Sequence, residues 1–107
     1  MTKRFNEILL GSIDRTLTKI LGEESKRDIY IYLKVAVFLE REDIGRKLDA
    51  FQAGLEMLFG LGAAVIEYAI VKELFSEMGL NLSGRDTFVN LVEKARTYFT
   101  LYKKKIK

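Results

Sequence analysis

Residues 55–67 read LEMLFGLGAAVIE, and this stretch predicts a sharp corner between two helices. Gly60 lets the chain reverse, because glycine enters the left-handed backbone region at little cost. Gly62 and Ala63 are expected to let the two helices approach closely, and Phe59 is expected to fill the corner. A nucleotide-binding loop is excluded here, since valine stands where a third glycine belongs and no P-loop lysine follows. We therefore predict a structural turn formed by Phe59, Gly60, Gly62 and Ala63.

Helical periodicity extends from this corner towards the N-terminus. Apolar residues at three- and four-residue steps predict a first helix that starts near Phe5 and stops at Gly22. A second helix is expected to enter through a capping box of Ser25 and Asp28 and to include residues 29–39, IYIYLKVAVFL. These β-branched and aromatic residues would also suit a strand. The length of the run and its helical neighbours favour a helix.

Three further helices complete the prediction. Residues 40–47 read as a loop with one turn, and a third helix follows a cap at Asp49 and ends at Gly60. The fourth helix should close in a Schellman motif at Gly79, with Leu80 folded back. A capping box of Ser83 and Asp86 should open the fifth. The fifth helix has a heptad seam of Phe88, Val92, Ala95, Phe99, Tyr102 and Ile106.

These patterns predict an all-α fold, a compact and dimeric bundle of about five helices. At 107 residues the chain is expected to form one domain, residues 1–107, with a basic tail at residues 103–107. The N-terminus does not resemble a signal peptide, and the longest uncharged run, residues 57–66, falls short of the roughly 18 residues that a membrane span needs. We therefore expect a cytoplasmic protein without a membrane partner, and the Lys- and Glu-rich composition is typical of a thermophile.

The chain contains neither histidine nor cysteine. Their absence removes the residues most often used for catalysis at neutral pH, zinc binding and redox chemistry. It also excludes a Ser-His-Asp triad and a di-iron site of the helical-bundle type. Glu67, Glu73 and Glu77 on the fourth helix would suit an oxygen-only Mg²⁺ or Ca²⁺ site, but a solvated face explains them better. We expect no enzyme activity, no cofactor and no bound metal.

The second helix is the best candidate for an interaction surface, because Lys34 is the only charged residue in 29–39. Apolar area that the other helices leave uncovered usually marks an interface, and a symmetric homodimer is the commonest solution. The heptad seam of the fifth helix also suits a partner. The alternative is a central helix that the other four surround. The predicted interface residues are Tyr30, Tyr32, Val35, Phe38, Phe99 and Tyr102.

The basic charge of the chain is concentrated near its C-terminus. Residues 85–107 contain seven basic and two acidic side chains, whereas residues 1–84 contain eleven and thirteen. Basic side chains neutralise phosphates, and Tyr98 and Tyr102 would stack on bases. A solvated helix end explains the same charges, since cations suit a helix C-terminus. Nucleic-acid binding is thus the alternative function, with candidate residues Arg96, Lys103, Lys104, Lys105 and Lys107.

The corner string, together with Ile13-Asp14, Leu21-Gly22 and residues 74–80, resembles a family of small archaeal helical domains, the Nitrosopumilus-type output domains of signal-transduction proteins. The resemblance covers roughly residues 8–95. It implies a non-catalytic module that passes on a signal by contact with another protein, often beside a sensor or receiver domain. Because these 107 residues include no sensor, we expect a stand-alone protein that binds partners.

Overall fold

The computed structural model describes residues 4–106, with side chains through residue 102. Every regular element in this part of the chain is helical, which confirms the all-α prediction and the number of helices. Two short 3₁₀-helices, Arg41–Arg46 and Gly60–Gly62, flank α3. The five α-helices are α1 (Phe5–Leu21), α2 (Glu23–Ala36), α3 (Leu48–Phe59), α4 (Ala63–Glu77) and α5 (Phe88–Ile106).

Helix α1 lies at the centre of the fold, where it packs against α2, α4 and the 3₁₀-helix Arg41–Arg46. Its residues Leu9, Ile13 and Leu17 recur at four-residue steps and are fully buried. Removing each such side chain from water contributes about 1.5–3 kcal/mol to stability. Helix α4 supplies the facing layer, with Ile70 and Leu74 equally buried. The helical periodicity of the sequence therefore corresponds to the core.

Helices α3 and α4 form a hairpin with its corner at Gly60. Gly60 has a φ of 56°, which favours glycine. Across the hairpin, Gln52 Nε2 donates a hydrogen bond to Glu67 Oε1 at 3.0 Å, so the two helices lie side by side. Gly62 has an ordinary helical φ of −68°, which does not require glycine. A close approach that was not predicted lies at Gly54, between α3 and α2. A methyl group on Gly54 would lie 2.3 Å from Leu33 Cδ2 of α2.

Glycines end α1, α3 and α4 where the sequence predicts, but the predicted N-terminal caps are wrong. Gly79 and Leu80 close α4 in the expected Schellman motif, with the Leu80 amide donating to the Phe75 carbonyl at 2.8 Å. Helices α2 and α3 begin at Glu23 and Leu48 without a side-chain cap. Helix α5 begins after Thr87, whose Oγ1 accepts from the Asn90 amide at 3.0 Å. Helix α5 thus begins at Phe88, directly after the Thr87 cap, and not from the predicted capping box of Ser83 and Asp86.

A cluster of three polar side chains fixes the position of α2. The Tyr30 hydroxyl and the Arg41 Nε both donate to Asp14 Oδ1, the latter at 3.2 Å, and the Arg41 guanidinium lies 5.8 Å from the Tyr30 ring centroid. Partial burial by itself raises the pKa of Asp14, but the hydrogen bonds from Arg41 and Tyr30 outweigh it and hold that pKa below its usual range. The cluster joins α1, α2 and the segment after α2.

The stretch Leu48–Glu77 is long and apolar enough to cross a membrane by composition alone. The length of the uncharged runs in the sequence did not predict this candidate span. Isolated carboxylates such as Glu56 and Glu67 interrupt the run but do not lower its mean hydropathy much. In the structure the stretch folds in two at Gly60 and is partly buried inside the protein. Core helices of soluble proteins pass the same test, so this is weak evidence for a membrane span.

Candidate interaction surface

Helix α2 presents an apolar face that no other described residue covers. Ile31 and Val35 are one turn apart on the helix, Phe38 lies just beyond its end, and the three are 61%, 71% and 84% exposed. The opposite side of the helix carries Ile29 and Leu33, which are buried in the core. Exposed apolar residues in a row are unusual on a monomeric surface and are typical of contact sites. We call Ile31, Val35 and Phe38 the α2 face.

Phe38 combines this exposure with a strained backbone. Helix α2 ends at Ala36, earlier than predicted, and Phe38 has a φ of 55°. This left-handed conformation costs a residue with a Cβ about 1–2 kcal/mol. It turns the chain so that Leu39 becomes buried and its amide donates to the Leu33 carbonyl at 3.1 Å. Because the Phe38 ring is outside the core, burial of that ring does not offset the strain.

The structure separates the six predicted interface residues. Val35 and Phe38 lie on the α2 face, whereas Tyr30 and Tyr32 are half-buried, with the Tyr30 hydroxyl bonded to Asp14. Phe99 and Tyr102 belong to α5. The Phe99 ring is half-buried 5.9 Å from the Phe5 ring, and the exposed Tyr102 ring stacks on Tyr98 at 5.8 Å.

The heptad seam of α5 packs largely within the protein. Phe88, Val92 and Ala95 are buried, and the Phe88 ring lies 6.0 Å from the Phe51 ring of α3. The expectation that this seam needs a partner is therefore wrong over its first half. Tyr102 is the last seam residue whose side chain is described, since Ile106 lies beyond that range. Among the described side chains of α5, the exposed large apolar residues are Tyr98, Leu101 and Tyr102.

A second apolar surface at the α3–α4 corner was not predicted from the sequence. Leu61 is 97% exposed at its tip. Leu58 follows Gly54 by one helical turn on α3 and is 37% exposed. The uncharged run 57–66 could have indicated this surface. The run spans both sides of a corner between two helices, so its apolar side chains cannot all face the core. We call this the corner patch: Met57, Leu58, Leu61 and Val65.

The carboxylates of α4 do not form a metal site. Arg15 Nε pairs with Glu73 at 2.8 Å and Arg15 Nη2 with Glu77 at 3.3 Å, as expected for a solvated face. Glu67 is an exception to that expectation, since it is only 8% exposed. Within residues 4–102, no three carboxylates come close enough together to hold a metal ion.

Arg96 is a packing residue in this structure. Its Nη2 donates to the Gly45 carbonyl at 2.6 Å, and its guanidinium lies 4.9 Å from the centroid of the Phe5 ring. Its Nε also pairs with Glu93 at 3.0 Å. These contacts hold the 3₁₀-helix against α1 and α5 and leave Arg96 poorly placed to bind a phosphate. The other basic candidates, Lys103, Lys104, Lys105 and Lys107, lie outside the described side chains.

Comparisons of this chain with protein-family models, with curated proteins and with solved structures find no match. The resemblance to archaeal output domains therefore stays a prediction from the residues 55–67 and their flanking motifs. What the fold and surface define is a small helical protein whose most unusual feature is uncovered apolar area on α2 and at the corner.

Proposed function

We propose that this protein is a non-enzymatic helical module that acts through protein–protein contact, as a homodimer joined through the α2 face. The observation that carries the proposal is Phe38, a bulky side chain that is 84% exposed on a backbone with a φ of 55°. Residues with a strained backbone cluster at functional sites. In a dimer the Phe38 ring would be buried, and this burial would offset its strain. The resemblance to signalling output domains supports a regulatory role for the dimer.

The spacing of the α2 face suits a two-fold axis. If two copies of α2 pack antiparallel with the axis near Val35, Ile31 of one copy faces the C-terminal end of the other α2, just beyond which Phe38 lies, and the reverse contact is identical. Three side chains are too few for a stable interface, which buries roughly 1,000 Å² or more in total. The corner patch offers further exposed apolar area. Lys34, 3.7 Å from Glu40, stands beside the α2 face as a polar rim.

Light scattering on the purified protein tests the proposal directly. We expect a dimeric mass at tens of micromolar for the wild type and a monomeric mass for Val35→Glu. Val35 is exposed, so a charge there should leave the fold intact while it opposes apolar contact. Leu101→Glu, at an exposed apolar position on α5, is the matched control and should remain dimeric. A monomeric wild type would overturn the dimer, and dissociation by Leu101→Glu would remove α2 as its interface.

Nucleic-acid binding through α5 is the second candidate. It is favoured by the exposed rings of Tyr98 and Tyr102, which stack at 5.8 Å and offer a flat surface to a base. Fluorescence anisotropy with a labelled single-stranded oligonucleotide should then show binding that weakens steeply with salt and disappears when residues 103–107 are removed. Binding that ignores salt, or no binding at low ionic strength, would reject this candidate.

A further inference from the structure

We infer that the corner patch is a membrane anchor, which inserts the tip of the α3–α4 hairpin into the surface of a zwitterionic bilayer. The tip consists of residues 57–66, MLFGLGAAVI, and none of these side chains carries a charge, a hydroxyl or an amide. Leu61 is 97% exposed, almost as much as a free residue, so its side chain projects from the fold. A projecting apolar tip has the shape and chemistry of a segment that enters lipid.

Insertion of a tip needs much less apolar chain than a membrane span does. The expectation of no membrane partner was based on crossing a bilayer, which takes about 18 apolar residues or more. A segment that lies in the membrane surface enters it by only about 5–10 Å. The ten uncharged residues of the tip are therefore enough for insertion into one leaflet.

The hairpin has more apolar surface than the core of the protein uses. Leu48–Glu77 is apolar enough to cross a membrane by composition, and its apolar 18-residue window is only 39% buried inside the protein. A core helix of a soluble protein that is equally apolar is mostly buried. Apolar area beyond the needs of the core marks a surface for contact, and the composition of this one matches lipid.

The amphipathic and charged side chains of the hairpin begin at the depth of the lipid headgroups. Glu56 precedes Leu61 by five residues, and Tyr68 follows it by seven. At about 1.5 Å per residue, these side chains start about 7–11 Å behind the tip. Tyr68 is 57% exposed, and tyrosine is enriched at the boundary between a membrane and water. Leu61 and Val65 would thus reach the acyl chains while Tyr68 and Glu56 remain among the headgroups.

The charges of the hairpin match a zwitterionic bilayer better than an anionic one or a protein. Residues 48–71 contain no lysine or arginine, and their charged residues are Asp49, Glu56 and Glu67. The hairpin therefore lacks the basic side chains that attract proteins to anionic lipids. Protein interfaces carry about one hydrogen bond per 100–200 Å², and the tip has no side-chain amide, hydroxyl or charge to provide one. Insertion into phosphatidylcholine requires only apolar area.

Cosedimentation of the full chain with phosphatidylcholine vesicles tests the anchor. We expect the wild type to bind with little dependence on salt, because the attraction is not electrostatic. Leu61→Glu should weaken binding about tenfold or more, since a charge is costly among acyl chains, and the exposure of Leu61 leaves the fold intact. Leu101→Glu, at an exposed apolar position on α5, is the matched control and should bind like the wild type.

Fluorescence locates the contact at the tip. The chain contains no tryptophan, so Leu61→Trp reports on this position alone. Its emission should shift to shorter wavelengths when vesicles are added, and phosphatidylcholine with brominated acyl chains should quench it. Leu101→Trp is the control and should show neither effect.

Three results would overturn the inference: a wild type that does not sediment with the vesicles, undiminished binding by Leu61→Glu, or equal emission shifts for Leu61→Trp and Leu101→Trp. A second copy of the chain is the competing occupant of the patch. Light scattering decides between the two, because a monomeric Leu61→Glu beside a dimeric wild type would assign the patch to the dimer and overturn the anchor. The anchor and the proposed dimer can also fail separately, since Val35→Glu should still bind vesicles.

Discussion

At the scale of single residues, Phe38 gives the sharpest test of strain. Phe38→Gly should stabilise the monomer by about 1 kcal/mol, because glycine occupies the left-handed region without a Cβ clash. Phe38→Ala removes the ring but keeps the Cβ, so it serves as the matched control and should be less stable than Phe38→Gly. Urea unfolding at low protein concentration measures both. Equal stability of the two variants would show that the backbone of Phe38 carries no strain.

The same two variants separate strain from contact. Both lose the exposed ring, so both should shift the proposed dimer towards monomer in light scattering, although only Phe38→Gly gains stability. A variant that folds better and associates less well is expected when a strained residue serves an interface. Retention of the dimer by both variants would mean that Phe38 does not contribute to it.

Glu67 predicts a dependence of stability on pH. Its pKa in the folded state lies above the ordinary 4.5, chiefly because of burial, so the folded protein holds this proton at a pH where the unfolded chain has lost it. Stability should therefore fall as pH rises from the ordinary pKa through the raised one, and then level off. Glu67→Gln should therefore be more stable than the wild type at neutral pH, and the difference should disappear as the pH falls below the ordinary pKa of a glutamate.

Urea unfolding at a series of pH values measures this difference, and Glu77→Gln is the control. The charge of Glu56 from α3 acts on Glu67, and Asp86, before α5, lines the same cleft as Glu67. The hydrogen bonds from Asn90 and Thr87 lower the pKa of Asp86, so its contribution to the pH dependence of stability has the opposite sign to that of Glu67. This contribution is the same in the wild type, Glu67→Gln and Glu77→Gln. A constant difference between Glu67→Gln and the wild type at all pH values would contradict the raised pKa.

At the scale of elements, Gly60 and Gly62 form a matched pair two residues apart. Neither has an obstacle where a new Cβ would clash, so a substitution acts through the backbone alone. Gly60→Ala should destabilise the protein by about 1 kcal/mol or more, because the φ of 56° is unfavourable for alanine. Gly62→Ala should be neutral or stabilising by up to about 1 kcal/mol, since the φ of −68° is helical. In thermal unfolding, Gly60→Ala should therefore have a clearly lower melting temperature than Gly62→Ala. Equal melting temperatures would mean that the positive φ of Gly60 does not contribute to the stability of the turn.

The sequence identified the helices well but not where they begin. Helix ends at Gly22 and Gly79 were predictable, because a left-handed glycine is a local property of the chain. The starts were not, since Ser25 and Asp49 are also compatible with a helix interior, and several residues near residue 86 could cap α5, of which Thr87 does so in the structure. Nothing local marks a phenylalanine as left-handed, so the early end of α2 at Ala36 could not be predicted.

At the scale of the whole molecule, the candidate sites depend on packing that a periodic pattern does not contain. Helix α2 is apolar on two sides, and its packing against α1 together with its crossing of α3 at Gly54 determines that Leu33 faces inward and Val35 outward. Glu67 looks like one more surface carboxylate in the sequence, yet the hairpin brings Gln52 to it and buries it. The sequence could therefore name an apolar helix as the candidate surface but could not assign its exposed side.

Association of the whole molecule should also appear in its thermal stability. A dimer that dissociates on unfolding is stabilised by mass action, so the melting temperature should rise with protein concentration, by roughly 3 °C or more for each tenfold increase. Val35→Glu should melt at a temperature that does not depend on concentration, whereas Leu101→Glu should keep the wild-type dependence. Differential scanning calorimetry over a hundredfold range of concentration measures both. A wild-type melting temperature that is flat over that range would mean that the α2 face stays open to a different protein and does not join two copies of this chain.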